Sequence, residues 1–388
     1  MMSLSRSVVI VSGMVAGVPW QGGAAWAVLQ YVLGLRLLGC EVYLIEEIPA
    51  DVQAQAGANG ITFDQERYFR RICDDFDLRG SAGLCAASMS EIIGMSRRSL
   101  IDIAGRADVL INIAGMWPLT NGFDKIPVRL YLDLDPGFTQ IWSQTPDIDM
   151  RFNGHTHFAT VGLAIGSTSC MIPTVGQSWI PTLPPVALEY WPVSSREPTF
   201  GMTTVANWRG YGSVEHGGLH YGQKAHSWRQ FMELPRLSAE RFVAALAIHP
   251  DEKSDLVALR ANAWCLLDPA SVAATPSNYQ RFIQKSKAEL GIAKSGYVIS
   301  GSGWFSDRSA CYLASGRPVL AQDTGYSQYL PTDEGLLAFT NLREALQAID
   351  AINDDYARHA KAARAVAEEY FSSTKVIRSL FSAIGVEV

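Results

Sequence analysis

Apolar positions along this chain change period repeatedly, and the changes mark its elements. Residues 7–14 are a short β-branched run that reads as a buried parallel strand. Residues 17–23 form a glycine-rich loop. Trp26, Leu29, Leu33 and Leu37 then recur at helical spacing, the core face of a helix expected over residues 24–38. Gly39 stands where helices commonly end, and residues 40–45 read as a second strand. Strand, helix and strand in this order predict a doubly wound α/β domain.

Further strands are expected at residues 108–113, 128–134 and 158–165. Pro181, Pro184, Pro185 and Pro192 then cluster. Proline stiffens the chain and blocks ladder pairing, so this stretch reads as a linker. The alternation restarts beyond it, with strands at 202–207, 242–248, 297–300 and 318–322 and helices at 223–233, 254–263, 277–290 and from 307. Asn341 with Glu344 resembles a capping box, and residues 354–381 read as helical. The expected division is an N-terminal domain over 1–185, a linker over 186–198, a C-terminal domain over 199–365, and a terminal helical segment over 366–388 that packs back on the first domain.

Composition narrows the picture. At 388 residues the chain exceeds a single core, and 48% hydrophobic with 18% charged residues suits two cores. A net charge of -6 argues against a general binder of nucleic acid or anionic membrane. No nucleic-acid partner is therefore expected. The six cysteines show no metal or C-x-x-C spacing and read as thiols of a reducing, cytoplasmic compartment. Glycines and Pro19 interrupt the apolar stretch near the start, which therefore reads as strand and loop rather than signal peptide. No run of 18 apolar residues occurs, so no integral membrane segment is expected.

The most informative stretch is residues 297–325. Gly301 and Gly303 would let backbone approach a ligand, and Ser306 or Asp307 caps a helix whose N-terminus suits phosphate. Arg308 opposes the helix dipole there, which points to an anionic partner. Gly301-x-Gly303-x-x-Ser306, with Asp323 further on, also approximates a dinucleotide fingerprint. An NAD(P)-dependent oxidoreductase is thus one reading.

The run Ala314-Ser315-Gly316-Arg317-Pro318-Val319 followed by Asp323-Thr324-Gly325 resembles the donor-site helix and loop of GT-B glycosyltransferases. Gln21-Gly22-Gly23, the helix after it and the Leu38-Gly39-Cys40-Glu41-Val42 stretch are similar to the opening of such enzymes. The resemblance implies two Rossmann-like domains facing a cleft. It implies a nucleotide-diphosphate sugar as co-substrate, with no tightly bound cofactor and no metal, and leaves the acceptor unnamed. The donor-binding residues it implies are Arg209, Lys224, Ser302, Gly303, Ser306, Asp307, Arg308, Ser309, Asp323, Thr324 and Gly325, with Gln21, Gly22 and Gly23 as a cleft loop. The glutamate pair of many retaining members is absent, since Gly303 and Cys311 occupy those places. A non-catalytic nucleotide-binding protein of the same fold therefore stays open.

Asp135 ends an expected strand, where open α/β sheets bind ligands, and can serve as a base. His157, which alternates with His155 before the next strand, is the second catalytic candidate.

Overall fold

The protein is described by a computed structural model over residues 6–55, 60–168, 170–195 and 197–388. Two sheets follow one another along the chain. The first comprises β1 (Val8–Ser12), β2 (Glu41–Ile48), β3 (Ala82–Ala86), β4 (Ile92–Ile93), β5 (Val109–Ile113), β6 (Val128–Asp133), β7 (His157–Thr160) and β8 (Trp179–Pro181). Its order is β4-β3-β2-β1-β5-β6-β7-β8, parallel except for the β3–β4 pair. Then come β9 (Phe200–Asn207), a hairpin of β10 (Val214–His216) and β11 (Leu219–Tyr221), β12 (Phe242–Ala247), β13 (Cys265–Leu267), β14 (Ser286–Gly291), β15 (Val319–Gln322) and β16 (Leu336–Phe339). The second large sheet is ordered β13-β12-β9-β14-β15-β16, and its pairs are parallel. In each sheet the chain starts at an inner strand, winds to one edge, and returns to wind to the other. The crevices open at the β1/β5 and β9/β14 switch points.

Burial explains the strands. All five residues of β1 and all five of β5 are buried, as strands covered on both faces must be. The helix Gly22–Leu37 buries the face that carries Trp26, Leu29 and Leu33.

One expectation fails in the second sheet. Residues 297–300 form no strand; they lie in a helix, Ser295–Ser300, closed by Gly301 in a left-handed conformation at φ 55°. The strand is β14, inside the stretch expected to be helix to residue 290; that helix stops at Lys285. Ser286–Gly291 carries Lys, Ala, Glu and Leu, good helix formers. Pairing on both sides, with β9 and β15, overrides the local preference. The helical C-terminus is divided by a π-helical turn, Ala367–Phe371, between Tyr356–Val366 and Ser373–Ala383.

The halves share one apolar core. Trp26 meets Trp191 with ring centres 5.0 Å apart, and its indole N–H donates to Pro276 O at 3.0 Å. Within the proline-rich stretch, Val186 and Ala187 are buried, and Val186 N–H donates to Phe371 O at 2.6 Å. Arg196, in the expected linker, lies outside the described residues, as do residues 1–5 at the start of the expected first domain. The Ser373–Ala383 helix crosses Gly22–Leu37 closely at Gly34, where a Cβ would lie 2.6 Å from Ile377 Cδ1. Among the described residues no helix is long and apolar enough to cross a membrane.

Candidate functional site

A cleft of ≈ 1040 Å³ opens between the carboxyl ends of the two sheets. Gln21, Gly22 and Gly23 line it from the start of the helix Gly22–Leu37, and Asp135 from just after β6. Opposite stand Asn207 after β9, Lys224, Lys294 after β14, Tyr297, and Ser306, Asp307 and Arg308 at the start of the helix Asp307–Ala314. An apolar slot of Leu246, Ile248, Leu266 and Leu267 extends the cleft at the ends of β12 and β13.

Lys224, Lys294 and Arg308 converge on this wall, and Arg260 also lines the cleft. Lys224 opens the helix Lys224–Trp228, is 8% exposed, and donates to Ile292 O. Burial pushes its pKa well below the ordinary value, and the positive charges of Arg308 and Lys294 push it further. An anion between these groups would relieve both costs. Arg308 is already engaged by Glu289 at 2.5 Å and by Val205 O at 3.0 Å. It adds positive potential from behind rather than a free fork of donors.

Asp135 faces this wall across the cleft. Its carboxylate accepts hydrogen bonds from the Tyr211 and Tyr297 hydroxyls, and Lys294 Nζ stands 3.3 Å from Oδ1. Lys294 Nζ lies 3.9 Å from the Tyr211 ring centre and 5.0 Å from that of Tyr297, a cation held over aromatic faces. Burial raises both phenols, and the negative Asp135 raises them further. Burial also lowers the Lys294 ammonium, which Asp135 opposes. Tyr211 meets Phe138 and Trp142 of the N-terminal half at 5.0 and 4.7 Å, so the hairpin it precedes is tied across the cleft.

Other sequence candidates fall elsewhere. His157 begins β7, in register with Leu130 rather than with the end of β6. Parallel strands run toward the cleft, so the first residue of β7 is on the far edge. Its Nδ1 is 2.9 Å from Thr156 Oγ1, and the catalytic assignment is withdrawn. Arg209 pairs with Glu252 at the surface and does not line the cleft. Ser302 is fully buried, and its carbonyl accepts from Ala164 N at 2.9 Å. A Cβ on Gly303 would lie 3.0 Å from Ala164 N, so what approaches Gly303 is the 162–165 turn of the other half, not a ligand. Ser309 is 1% exposed. Asp323 caps the turn beyond it, accepting from Gly325 N at 2.9 Å and Ser327 Oγ at 2.5 Å. Thr324 Oγ1 donates to Trp304 O at 2.5 Å. Residues 323–325 thus brace the loop at residues 303–304 within the same half. The dinucleotide fingerprint loses its strand-to-helix context, and the oxidoreductase reading loses its basis.

Sequence reasoning missed Lys294, Tyr211 and Tyr297. Lys294 follows β14, which hid inside an expected helix, and Tyr297 was assigned to a strand. Tyr211 had a signal, since it lies shortly after β9 where sheet ends meet ligands.

No protein-family model matches this sequence, and no curated protein matches it. Solved structures do. An α-glucosyltransferase in complex with UDP-glucose and DNA containing an abasic site is 11% identical, covers 98% of this chain and 99% of its own, and gives a TM-score of 0.61. HepE from Anabaena, in complex with UDP and glucose, is 8% identical over 98% of this chain and 99% of its own, with a TM-score of 0.58. Sucrose-phosphate synthase from Thermosynechococcus elongatus is 12% identical over 97% and 100%, with a TM-score of 0.54. At such identity the likeness establishes the fold. It also corrects one expectation. A protein of this fold is seen with DNA bound, so a net charge of -6 does not exclude a nucleic-acid partner. Net charge describes the whole surface and says nothing of one face. The chain has the GT-B fold, two parallel α/β sheets whose strand ends face one cleft.

Proposed function

We propose that the protein is a glycosyltransferase that moves a sugar from a nucleoside diphosphate to an acceptor hydroxyl. The observation that carries this reading is the convergence of Lys224, Lys294 and Arg308 on one wall of the cleft, opposite Asp135. The apolar slot of Leu246, Ile248, Leu266 and Leu267 suits a nucleobase, and the cations suit the diphosphate next to it. Solved proteins of this fold hold UDP or UDP-glucose.

In the transfer, the acceptor oxygen bonds to the anomeric carbon as that carbon's bond to the diphosphate oxygen breaks. The electron pair leaves on the diphosphate, where Lys224 and Lys294 stabilise it. The acceptor proton passes to Asp135, which gives up one phenol hydrogen bond to receive it. Burial by the two halves keeps water from competing.

The test is UDP release from UDP-glucose with a panel of hydroxyl acceptors, DNA included. Asp135→Asn should slow acceptor-dependent release by about 10²–10⁴-fold, the usual worth of a general base. Release at the wild-type rate would remove Asp135 from the chemistry.

A further inference from the structure

We infer that Glu46 is a positioning residue for the cleft loop, acting through the backbone of Ala16 and Gly17. Glu46 lies on β2, 2% exposed. Its two carboxylate oxygens each accept one backbone N–H, Ala16 at 2.7 Å and Gly17 at 2.6 Å. The loop is gripped from the other side too. Gln65 Nε2 donates to Gly17 O at 3.0 Å, and Gln65 is itself fixed by the Thr62 capping box. An ionised carboxylate offers a separate acceptor oxygen to each of two converging donors and has no donor of its own. Contact is tight, since a Cβ on Gly17 would lie 2.8 Å from Glu46 Oε1.

What this grip controls lies a few residues on. The chain runs from Gly17 to Trp20, which sits 5.0 Å from the Tyr68 ring, and then to Gln21, Gly22 and Gly23 on the cleft wall. There the helix Gly22–Leu37 begins with no side-chain cap on its first turn. Its first N–H, that of Gly22, donates to Ala273 O at 2.9 Å, and the positive end of the helix lies where Gln21, Gly22 and Gly23 line the cleft. Glu46 touches neither donor nor acceptor; it sets how this helix start meets them.

Its surroundings make the grip sensitive to pH. Burial pushes the Glu46 carboxyl up to about 7, against the backbone N–H groups of Ala16 and Gly17 and, more weakly, Val15, which favour its charged form. The titratable groups that feel it are Tyr68 on the helix Phe63–Asp75 and Cys85 on β3. Burial raises both above their ordinary values, so both are neutral near pH 7 and neither supplies a cation. Once protonated, one Glu46 oxygen becomes a donor facing a donor, and the loop loses an anchor.

The effect on the donor rests on the transferase reading; the effect on the loop does not. Two variants test the grip from opposite sides, Glu46→Gln, which keeps the shape and removes one acceptor, and Gly17→Ala, which displaces the carboxylate. Hydrogen exchange at Ala16 and Gly17, compared at the same pH 8, should rise about tenfold or more in both, as the loss of a hydrogen bond to a charged group implies. UDP affinity should fall by about tenfold in Glu46→Gln, whose thermal midpoint at pH 8 should not fall, because a buried carboxylate is removed. Wild-type UDP affinity should weaken as pH drops below 7, and this dependence should flatten in Glu46→Gln. Unchanged exchange, or UDP affinity lost only together with stability, overturns the positioning role. If the wild type binds no UDP, the donor assignment fails, while the exchange result still decides whether Glu46 holds the loop.

Discussion

Glu46 and Lys224 are buried ionisable side chains of opposite sign, and they answer to pH through different routes. Burial pushes the Glu46 carboxyl up from the ordinary 4.5 to about 7. Between those values the unfolded chain has lost a proton that the folded chain keeps. Stability contributed by this group therefore falls as pH rises from 4.5 to about 7, by on the order of 3 kcal/mol in all. Urea midpoints measured across that window should fall more steeply in the wild type than in Glu46→Gln; parallel slopes would mean Glu46 titrates normally. Lys224 shifts the other way, lowered by burial and by its neighbouring cations Arg308 and Lys294. Its charged form is the one that holds an anion, so nucleotide affinity should decline as pH rises through its depressed pKa.

The helix Gly22–Leu37 shows how an element fixes the site. It starts at the cleft, where Gly22 N–H donates to Ala273 O at 2.9 Å, and a Cβ there would lie 2.3 Å from Thr275 O. Backbone cannot yield as a flexible side chain would. Gly22→Ala should therefore cost about 1–3 kcal/mol, read as a lower denaturation midpoint. An unchanged midpoint would show that the 273–275 turn moves freely. The β1–helix–β2 unit was legible in sequence because its periods are long and Gly22, Gly23 and Gly39 stand at the helix ends. β14 was not, since Ser286–Gly291 has helical composition and becomes a strand only by insertion between β9 and β15. That miss hid Lys294. Gly301 and Gly303 are expected from sequence to let a ligand approach, but only the fold reveals that Gly303 has Ala164 as its close neighbour and that Gly301 serves as a left-handed helix end. Lys224 and Asp135 were readable because both sit at strand or helix ends facing the cleft, whereas the Tyr211 and Tyr297 contacts join distant segments that no local pattern connects.

At the scale of the molecule, two sheets share a core through Trp26, Trp191 and the helices around them, and hold one large cleft between their strand ends. Gross charge proved a poor guide to partners, because the -6 of the chain coexists with Lys224, Lys294 and Arg308 gathered on one wall of the cleft. The proposed transfer requires that wall to bind a nucleoside diphosphate. Calorimetric titration of UDP into the wild type and into Lys224→Met tests this most directly. The wild type should bind UDP, and the variant should bind about tenfold more weakly or worse, as loss of a charged hydrogen-bond donor implies, without a lower thermal midpoint. Equal UDP affinity in the two proteins, or binding of NAD(P) in place of UDP, would contradict it.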